Sequence, residues 1–532
     1  MCRSFRSSTS EIAKAGRGGG RGWGDAMTRF LALALCAAAV STTVAQGQDA
    51  VARVRAWRGQ HEPQILRELF DLVAIPNVAS DKDGIARNAQ ALTRMFEKRR
   101  FLPELIATGG PPLVVAERRT AGAARTLAFY FHYDGQPVEP REWTHAPPFS
   151  PIIVTDSGPG GRTLTLDQVR GAIDPQWRVF GRSTSDDKSP IVAFLAAIDA
   201  LDAAGIPLSS NIRVLMEGEE EAGSPNLEAA VRAHPERVRA DALILVDGPR
   251  HASDRPTLNF GSRGLMGALI TVYGASRDLH SGNYGNWAPN PALDLARLLA
   301  SMKQADGRVT IDGFYDDVVP LTAAEKQAID EIPDVEPTLM QAYGFTRREN
   351  PAERLELRHN QPTLNVNAIE AGGGVGGQGR TIIPASASAK LDVRLVKAID
   401  PSKQFERLVA HVRKQGYFVV DTEPDAATRA AHPLIAKVTR SGGYPAGRTS
   451  METPLAASIA AALSDAAGGQ LARLPTIGGS TPFYLFADVL GVPTYGLSIV
   501  NFDNNQHGPN ENLRIKNLWE GIDSMAALLT MK

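Results

Sequence analysis

The chain has 532 residues, of which 43% are hydrophobic and 22% charged, as in ordinary globular proteins. Its 57 Lys and Arg residues balance 58 Asp and Glu residues, which argues against a nucleic-acid binder, since such proteins carry a basic excess. The length favours about two to four domains. Both cysteines, Cys2 and Cys36, lie near the N-terminus, so the main body holds neither a disulfide framework nor a cysteine-based zinc site.

The N-terminal segment has the pattern of a secretory signal peptide. An apolar run, FLALALCAAAV, occupies residues 30–40 and is about half the ~20 residues that span a bilayer. Arg29 precedes it, and residues 43–45 (TVA) offer a small-residue cleavage site. We expect a leader over residues 1–45, with Met27 as a possible true start, and a periplasmic or secreted protein without a stable membrane span. The alternative is the start of a buried helix.

Helices and short apolar strands alternate beyond the leader. One helix is predicted over residues 63–75, beginning at Pro63, and another from Ser189 to Gly205. Alternation of this kind predicts an α/β fold with a mostly parallel sheet, whose sites form outside the carboxyl ends of the strands. The predicted strands are 127–131, 212–216 and 242–246.

The middle of the chain has a different pattern, which predicts a separate small α+β domain inserted into the first. From about Pro433 the pattern of the first domain resumes. The predicted strands of the insert are 265–273, 383–396 and 417–421, and its helices are 291–302 and 402–415. The predicted domains are a first catalytic segment at 46–261, the insert at 262–428 and a second catalytic segment at 429–532.

Histidines and carboxylates follow several of the predicted strands. They are His132 and Asp134 in HYD, Asp186 and Asp187 in SDDK, Glu219, Glu220 and Glu221 in GEEEAG, Asp247 after LILV, and His507 in NNQHGPNE. Zinc accepts both donor types and keeps a position open for water in catalytic sites. Five such groups are more ligands than one tetrahedral zinc ion with an open position accepts, but they suit two ions if one carboxylate bridges them. A spare carboxylate would act as general base, and a spare Asp would orient a ligating imidazole.

With these motifs the chain resembles the co-catalytic zinc peptidase family of carnosinases, aminoacylases, glutamate carboxypeptidase and succinyl-diaminopimelate desuccinylase. It is most similar to the carnosinase-like dipeptidase branch. The resemblance runs from about residue 55 to the C-terminus and implies a zinc-peptidase catalytic domain with an inserted, ferredoxin-like lid and dimerisation domain. The motifs, in family order, are HYDGQPV, GRSTSDDKSP, EGEEEAGS, DLHSG, RTIIP, RLV, GGSTP and HGPNE.

The resemblance assigns the ligands of two zinc ions. It implies that His132 and Asp247 bind one ion, that Glu221 and His507 bind the other, and that Asp186 bridges them. The peptide bond that follows the bridging aspartate is typically cis in this family. Mn²⁺ or Co²⁺ could occupy the same donors.

The resemblance also assigns the catalytic and substrate-binding residues. Glu220 would be the general base and then the acid that protonates the leaving amine, and Asp134 would support His132. His280 would stabilise the oxyanion, usually from the neighbouring subunit of a homodimer, and Arg394 would bind the substrate carboxylate. Further substrate contacts are implied for Thr381, Gly479 and Ser480.

Three departures from the family pattern are visible. Ser183 and Ser189 replace two glycines of the GRGxxDxKG motif, and Gly508 stands where serine is common. A Gly-His-Gly loop of the carnosinase branch is absent from the stretch DTEPDAATRAAHP, in which His432 has no flanking glycines. No ligand is lost, but the loop leaves the dipeptide specificity open.

Two functions share this chemistry. The first is hydrolysis of an amide bond in dipeptides or small peptides by a water that bridges two zinc ions. The second is deacylation of N-acetyl or N-succinyl amino acids, because both bonds are amides close to a carboxylate. A non-catalytic binding protein on the same fold is the third interpretation, and the presence of every ligand and of the base argues against it.

Overall fold

The computed structural model describes residues 24–156, 161–373 and 380–532, with side chains from Asp49 onward. The chain divides into two units, Met1–Asp49 and Ala50–Lys532. The predicted leader falls in the first unit, where residues 1–23 lie outside the described residues. Within the described ranges, no helix combines the length and the apolar character that a membrane crossing requires.

The helices of the described residues are Gly24–Val73 (α1), Lys82–Glu97 (α2), Lys188–Ala204 (α3), Leu227–Ala233 (α4), Pro235–Val238 (α5), Ser281–Tyr284 (α6), Pro291–Met302 (α7), Ala323–Asp330 (α8), Glu336–Tyr343 (α9), Leu355–Arg358 (α10), Pro401–Lys414 (α11), Ala426–Ala431 (α12), Pro454–Ala466 (α13) and Ile515–Thr530 (α14). The strands are Leu102–Ile106 (β1), Leu113–Arg118 (β2), Thr126–His132 (β3), Ile152–Val154 (β4), Thr163–Leu164 (β5), Arg178–Phe180 (β6), Asn211–Glu217 (β7), Ala242–Leu245 (β8), Thr257–Asn259 (β9), Gly261–Ser262 (β10), Gly264–Tyr273 (β11), Leu279–His280 (β12), Thr363–Ala371 (β13), Ile382–Ile383 (β14), Ser386–Leu395 (β15), Phe418–Val420 (β16), Ile435–Tyr444 (β17), Gly447–Arg448 (β18), Ala472–Leu474 (β19), Thr494–Ser498 (β20) and Asn512–Arg514 (β21).

The larger sheet is mixed and has eight strands, in the order β1-β2-β7-β3-β8-β20-β9-β19. Its central strands β7, β3, β8 and β20 are parallel. The apolar run of β3 is buried almost throughout, as expected of a strand covered on both faces. Helix α3 is buried along most of its length, packs against α14 and ends at Gly205, whose φ is 65°. The predicted α/β fold is therefore confirmed.

The inserted segment forms a second sheet, in the order β13-β15-β11-β17-β16. The four antiparallel strands β17-β11-β15-β13 have the order and the crossover helices α7 and α11 of a ferredoxin-like βαββαβ unit. Burial alternates along β15, so one face of the sheet packs on the helices and the other does not.

Two details of the predicted organisation are wrong. Helix α1 does not begin at Pro63 but runs through it from Gly24 to Val73, although Pro63 lacks the N–H that would bond to the carbonyl of Gly59. The pattern of the first domain also does not resume at about Pro433. Strand β17 instead pairs along β11 in the second sheet, because the alternation of its first half suits either sheet and only the pairing decides between them.

Candidate metal centre and active site

Three neighbouring parallel strands deliver the first group of polar side chains. His132 is the last residue of β3, and Asp247 lies two residues beyond β8. Glu220 and Glu221 lie in a 3₁₀ turn, Glu220–Ala222, that follows β7. Since β7, β3 and β8 run parallel, their carboxyl ends meet at one edge of the sheet. The sequence placed the site at this edge for the same reason.

Asp186 lies between two histidines. Its Oδ1 is 2.9 Å from Nε2 of His132, and its Oδ2 is 3.2 Å from Nε2 of His507. Asp247 Oδ1 is 3.9 Å from His132 Nε2, and Glu221 Oε2 is 3.3 Å from His507 Nε2. The donor atoms of His132, Asp186 and Asp247, and those of Asp186, Glu221 and His507, lie within 4.8 Å of one another in each group. The Asp186–Asp187 peptide bond is cis, as the resemblance implied.

Asp134 connects the histidine of this centre to the glutamate turn. One of its oxygens is 3.4 Å from Nδ1 of His132. Its carboxylate also accepts the backbone N–H groups of Glu220 and Glu221, at 3.1 and 3.0 Å. Asp134 is fully buried, so it fixes the imidazole and the glutamate turn relative to each other.

Glu511 is a positioning residue that the sequence reasoning missed. Its fully buried carboxylate accepts the backbone N–H groups of Ser183, Ser185 and Asp186, each at 3.0 Å. Oε2 also lies 2.7 Å from Nη1 of Arg182. These contacts fix the loop that carries Asp186. The HGPNE motif contains this glutamate, but only the folded chain shows that it points toward the loop rather than to a metal.

Three further residues of the motifs serve as supports. Lys188 is fully buried, and its ammonium group donates to the carbonyls of Leu72 and Ile75 at the end of α1. Asp187 accepts the backbone N–H of His132 at 3.2 Å, and Glu219 accepts that of Asn226. Asp187 and Glu219 are buried, which agrees with a supporting role beside the candidate ligands.

The electrostatics of the centre follow from burying several carboxylates together. Burial, and then repulsion from Asp186, raises the pKa of Glu221 to about 8. Burial and Asp186 likewise raise the pKa of Asp247 to about 6. Burial raises the pKa of Glu220 well above its usual range, because its attraction to His132 is weaker than the desolvation. Burial opposes ionisation of Asp186 too, but its hydrogen bonds with the two histidines lower its pKa below the usual range.

The same hydrogen bonds act on the histidines. Burial alone would lower the pKa of His132, yet its bonds with Asp134 and Asp186 raise it well above the ordinary value. The bond with Asp186 raises the pKa of His507 to about 8. Among the contacts of the described residues, no Lys or Arg pairs with Glu220, Glu221 or Asp247. Buried carboxylates without a Lys or Arg partner fit a bound divalent cation, and the oxygen and imidazole donors suit zinc or its neighbours.

The predicted substrate contacts form two groups. Arg394 of β15 donates from Nη1 to Oγ of Ser480 at 2.8 Å, and its Nε lies 3.1 Å from Asp392. Gly479 accepts the backbone N–H of Arg263 at 3.0 Å. These residues bring the inserted segment and the GGSTP loop together, so Arg394, Gly479 and Ser480 occupy one region.

His280 and Thr381 form the other group, on the two-stranded ribbon of β12 and β14. The backbone N–H of Ser281 donates to the carbonyl of Thr381 at 3.0 Å. His280 is exposed, and its Nδ1 accepts the N–H groups of Gly282 and Asn283 at 3.1 and 3.3 Å. Its Nε2 therefore carries the proton of the neutral ring. Among the described residues, no hydrogen bond or ion pair joins His280 to the metal centre of the same chain.

The α/β fold, with carboxylates and histidines gathered at the ends of its parallel strands, defines a metal-dependent hydrolase. The family model described as peptidase family M20/M25/M40 matches residues 128–531. The chain therefore belongs to that family, and it is a hydrolase that binds divalent metal.

Similar proteins lie in the dipeptidase branch. The Cys-Gly metallodipeptidase of Schizosaccharomyces pombe is 33% identical over 57% of this chain and 60% of its own length. That of Saccharomyces cerevisiae is 26% identical over 88% of this chain and 95% of its own. The human Beta-Ala-His dipeptidase is 25% identical over 88% of this chain and 86% of its own length. Among solved structures, an M20 family metallo-carboxypeptidase of Sulfolobus solfataricus is 30% identical with a TM-score of 0.71, covering 87% of this chain and 98% of that one.

Proposed function

We propose that the protein is a di-zinc dipeptidase that removes the C-terminal residue of dipeptides or other small peptides. The observation that carries the proposal is the position of Asp186, with one carboxylate oxygen facing His132 and the other facing His507. A carboxylate held in this way can serve two cations at once. The names of the dipeptidase relatives support a dipeptide substrate.

Each member of the centre has a role in this proposal. His132 and Asp247 hold one cation, Glu221 and His507 hold the other, and Asp186 serves both. When bound, the two cations supply Lewis-acid polarisation of the substrate carbonyl and acidify water. Metal analysis of the purified protein tests this assignment. Two zinc ions per chain are expected. Two manganese or cobalt ions in their place would correct the identity of the metal but leave the assignment of the ligands unchanged.

Glu220 performs the proton transfers. It is next to the proposed ligand Glu221, and Asp134 accepts the backbone N–H groups of both residues, so the turn that carries Glu220 has a fixed position at the centre. Burial raises the pKa of Glu220, which makes its carboxylate a stronger base and a better acceptor for a proton from water. Glu220 therefore takes a proton from the attacking water and delivers it to the leaving amine, while Arg394 holds the substrate carboxylate.

A substrate panel distinguishes the two chemistries that share this centre. The enzyme is assayed on Cys-Gly, β-Ala-His and unrelated dipeptides, and in parallel on N-acetyl and N-succinyl amino acids. Turnover of dipeptides with kcat/KM at least about 100-fold above that of the acyl amino acids supports the proposal; that ratio corresponds to roughly 2.7 kcal/mol of transition-state discrimination. Turnover of acyl amino acids alone would replace it with a deacylase.

We also propose a homodimer in which His280 acts in the partner's site. The insert exposes apolar side chains on two of its strands, with Leu269 of β11 exposed by 39% and Val366 and Ile369 of the edge strand β13 by 42 and 63%. His280 is exposed, and the hydrogen bonds at its Nδ1 leave the Nε2–H as the donor for a site in the partner. Mixing His280→Ala with Glu220→Gln chains should restore up to about a quarter of the wild-type activity, because a randomly re-assorted heterodimer retains one intact site. No restoration after subunit exchange would contradict action across the interface.

Export remains a proposal from the leader pattern. Mass spectrometry of the protein isolated from its own cells would test it. A mature N-terminus close to residue 46 in an extracytoplasmic fraction is expected, and an intact N-terminal segment in the cytosolic fraction would contradict it.

A further inference from the structure

Tyr444 of the insert lies beside Arg394 and has no part in the reaction proposed above. Tyr444 and Arg394 both pair with Leu265, from the two strands that flank β11. Directly paired residues of antiparallel strands lie on the same face of a sheet. The side chains of Tyr444 and Arg394 therefore share a face, one strand apart on either side of Leu265.

Glycines allow the backbone at Tyr444 to come close to the backbone of β11. A Cβ added to Gly264 would lie 2.5 Å from the carbonyl oxygen of Tyr444, so only a residue without a side chain fits there. Gly443 has a φ of 126°, a conformation that favours glycine. The glycines Gly264 and Gly443 thus allow the path that the backbone takes at Tyr444.

Ser480 joins the two side chains through its hydroxyl group. Arg394 Nη1 donates to Ser480 Oγ at 2.8 Å, and the Ser480 hydroxyl also hydrogen-bonds with the phenol of Tyr444. A serine hydroxyl carries one proton, and its oxygen already accepts from Arg394, so it donates to the phenol oxygen. The proton of the Tyr444 hydroxyl then remains for another acceptor.

The ring of Tyr444 is supported and its hydroxyl stays protonated. The ring stacks on that of Tyr484, with centroids 5.4 Å apart and planes at 16°. The Tyr484 phenol in turn hydrogen-bonds with Glu228. Burial, and then the charge of nearby Glu220, raises the pKa of the Tyr444 phenol, so the group remains a hydrogen-bond donor.

We propose that the Tyr444 hydroxyl donates a hydrogen bond to the terminal carboxylate of the bound peptide, as a second donor beside Arg394. The inference rests on the proposed function, in which Arg394 binds that carboxylate. Tyr444 is close enough to Glu220 for the charge of Glu220 to raise the pKa of its phenol, and Ser480 connects Tyr444 to Arg394. In a C-terminal residue the amide nitrogen and the carboxylate are attached to the same Cα, so a group close to both Glu220 and Arg394 is well placed to contact that residue.

The test compares Tyr444→Phe with wild-type enzyme on a dipeptide and on the same dipeptide with a C-terminal amide. Losing one hydrogen bond to a charged group should raise KM for the acid roughly 10- to 100-fold. The kcat should stay within about threefold, because the carboxylate is bound equally in ground and transition states. KM for the amide should not change. Tyr495→Phe, which removes a phenol paired with Thr453, is the matched control and should alter neither substrate.

Arg394→Met separates this inference from the function on which it rests. If Arg394→Met raises KM for the acid alone while Tyr444→Phe does not, Tyr444 is no carboxylate donor. The proposed binding of the substrate carboxylate by Arg394, the carboxylate anchor, is then retained. If neither variant distinguishes acid from amide, the carboxylate anchor itself is wrong. A fall in kcat on both substrates for Tyr444→Phe would place the hydroxyl at the reacting carbonyl and overturn the inference. Thermal melting of each variant verifies that it is folded.

Discussion

The carboxylate of Glu511 accepts a hydrogen bond from the backbone N–H of Asp186, with 3.0 Å between oxygen and nitrogen. Asp186 itself faces both histidines of the centre. A residue that touches no candidate ligand atom thus determines where the shared carboxylate lies. Outer residues of this kind commonly change metal affinity as strongly as a ligand does.

Glu511→Gln should weaken both metal binding and the fold. The amide nitrogen would face N–H donors, and Arg182 would lose its buried partner. We expect zinc affinity to fall about 10- to 100-fold and the free energy of unfolding to fall by about 3 kcal/mol. Titration calorimetry with zinc and urea denaturation measure these two quantities. Glu236→Gln, at an exposed carboxylate, is the control, and wild-type zinc affinity in Glu511→Gln would refute the positioning role.

Glu220→Gln should abolish most turnover without emptying the centre. The amide cannot take a proton from water, so kcat should fall by about 10²- to 10⁴-fold. Metal content, measured by elemental analysis, should remain at the wild-type value because Glu220 is not one of the grouped ligands. Glu219→Gln changes the neighbouring buried carboxylate, which accepts Asn226 N–H, and should keep kcat within about tenfold. If kcat fell equally in the Glu220→Gln and Glu219→Gln variants, Glu220 would not be the general base.

The sequence predicted that several side chains of the metal centre would lie together, because each of them follows a strand of the same sheet. Short apolar runs followed by His132, Glu220 and Asp247 mark parallel strands, and their carboxyl ends meet by geometry. The two histidines and Asp186 come from distant parts of the chain, and the family resemblance supplied their pairing before the structure brought them together.

The supports were not predictable, because they depend on contacts made only in the folded chain. The carboxylate of Glu511 reaches a loop more than three hundred residues earlier in the chain, as its contact with Asp186 shows. The sequence assigned no role to Lys188 of the GRSTSDDKSP motif, because its contact with the end of α1 exists only in the folded chain. The position of β17 was misjudged for a related reason, since a strand pattern does not specify its partner.

Removing the metal should make stability fall as pH rises. In the apoprotein the pKa of Glu221 is about 8 and that of Asp247 about 6, both raised chiefly by burial above the values of an unfolded chain. His507, with a pKa of about 8 raised by Asp186, acts in the same direction. From about pH 5 to 8 the folded apoprotein therefore holds protons that the unfolded chain has released. Under that condition the free energy of unfolding decreases with pH.

Urea midpoints of chelator-treated protein at pH 5.5 and pH 8 measure this effect, and the lower midpoint is expected at pH 8. Zinc should reverse the trend, because the cations bind deprotonated carboxylates and neutral imidazoles and displace the protons as pH rises. Glu221→Gln cannot ionise, so its apoprotein should show a smaller difference between the two midpoints. An apoprotein more stable at pH 8 than at pH 5.5 would show that the carboxylates are not held against one another as described.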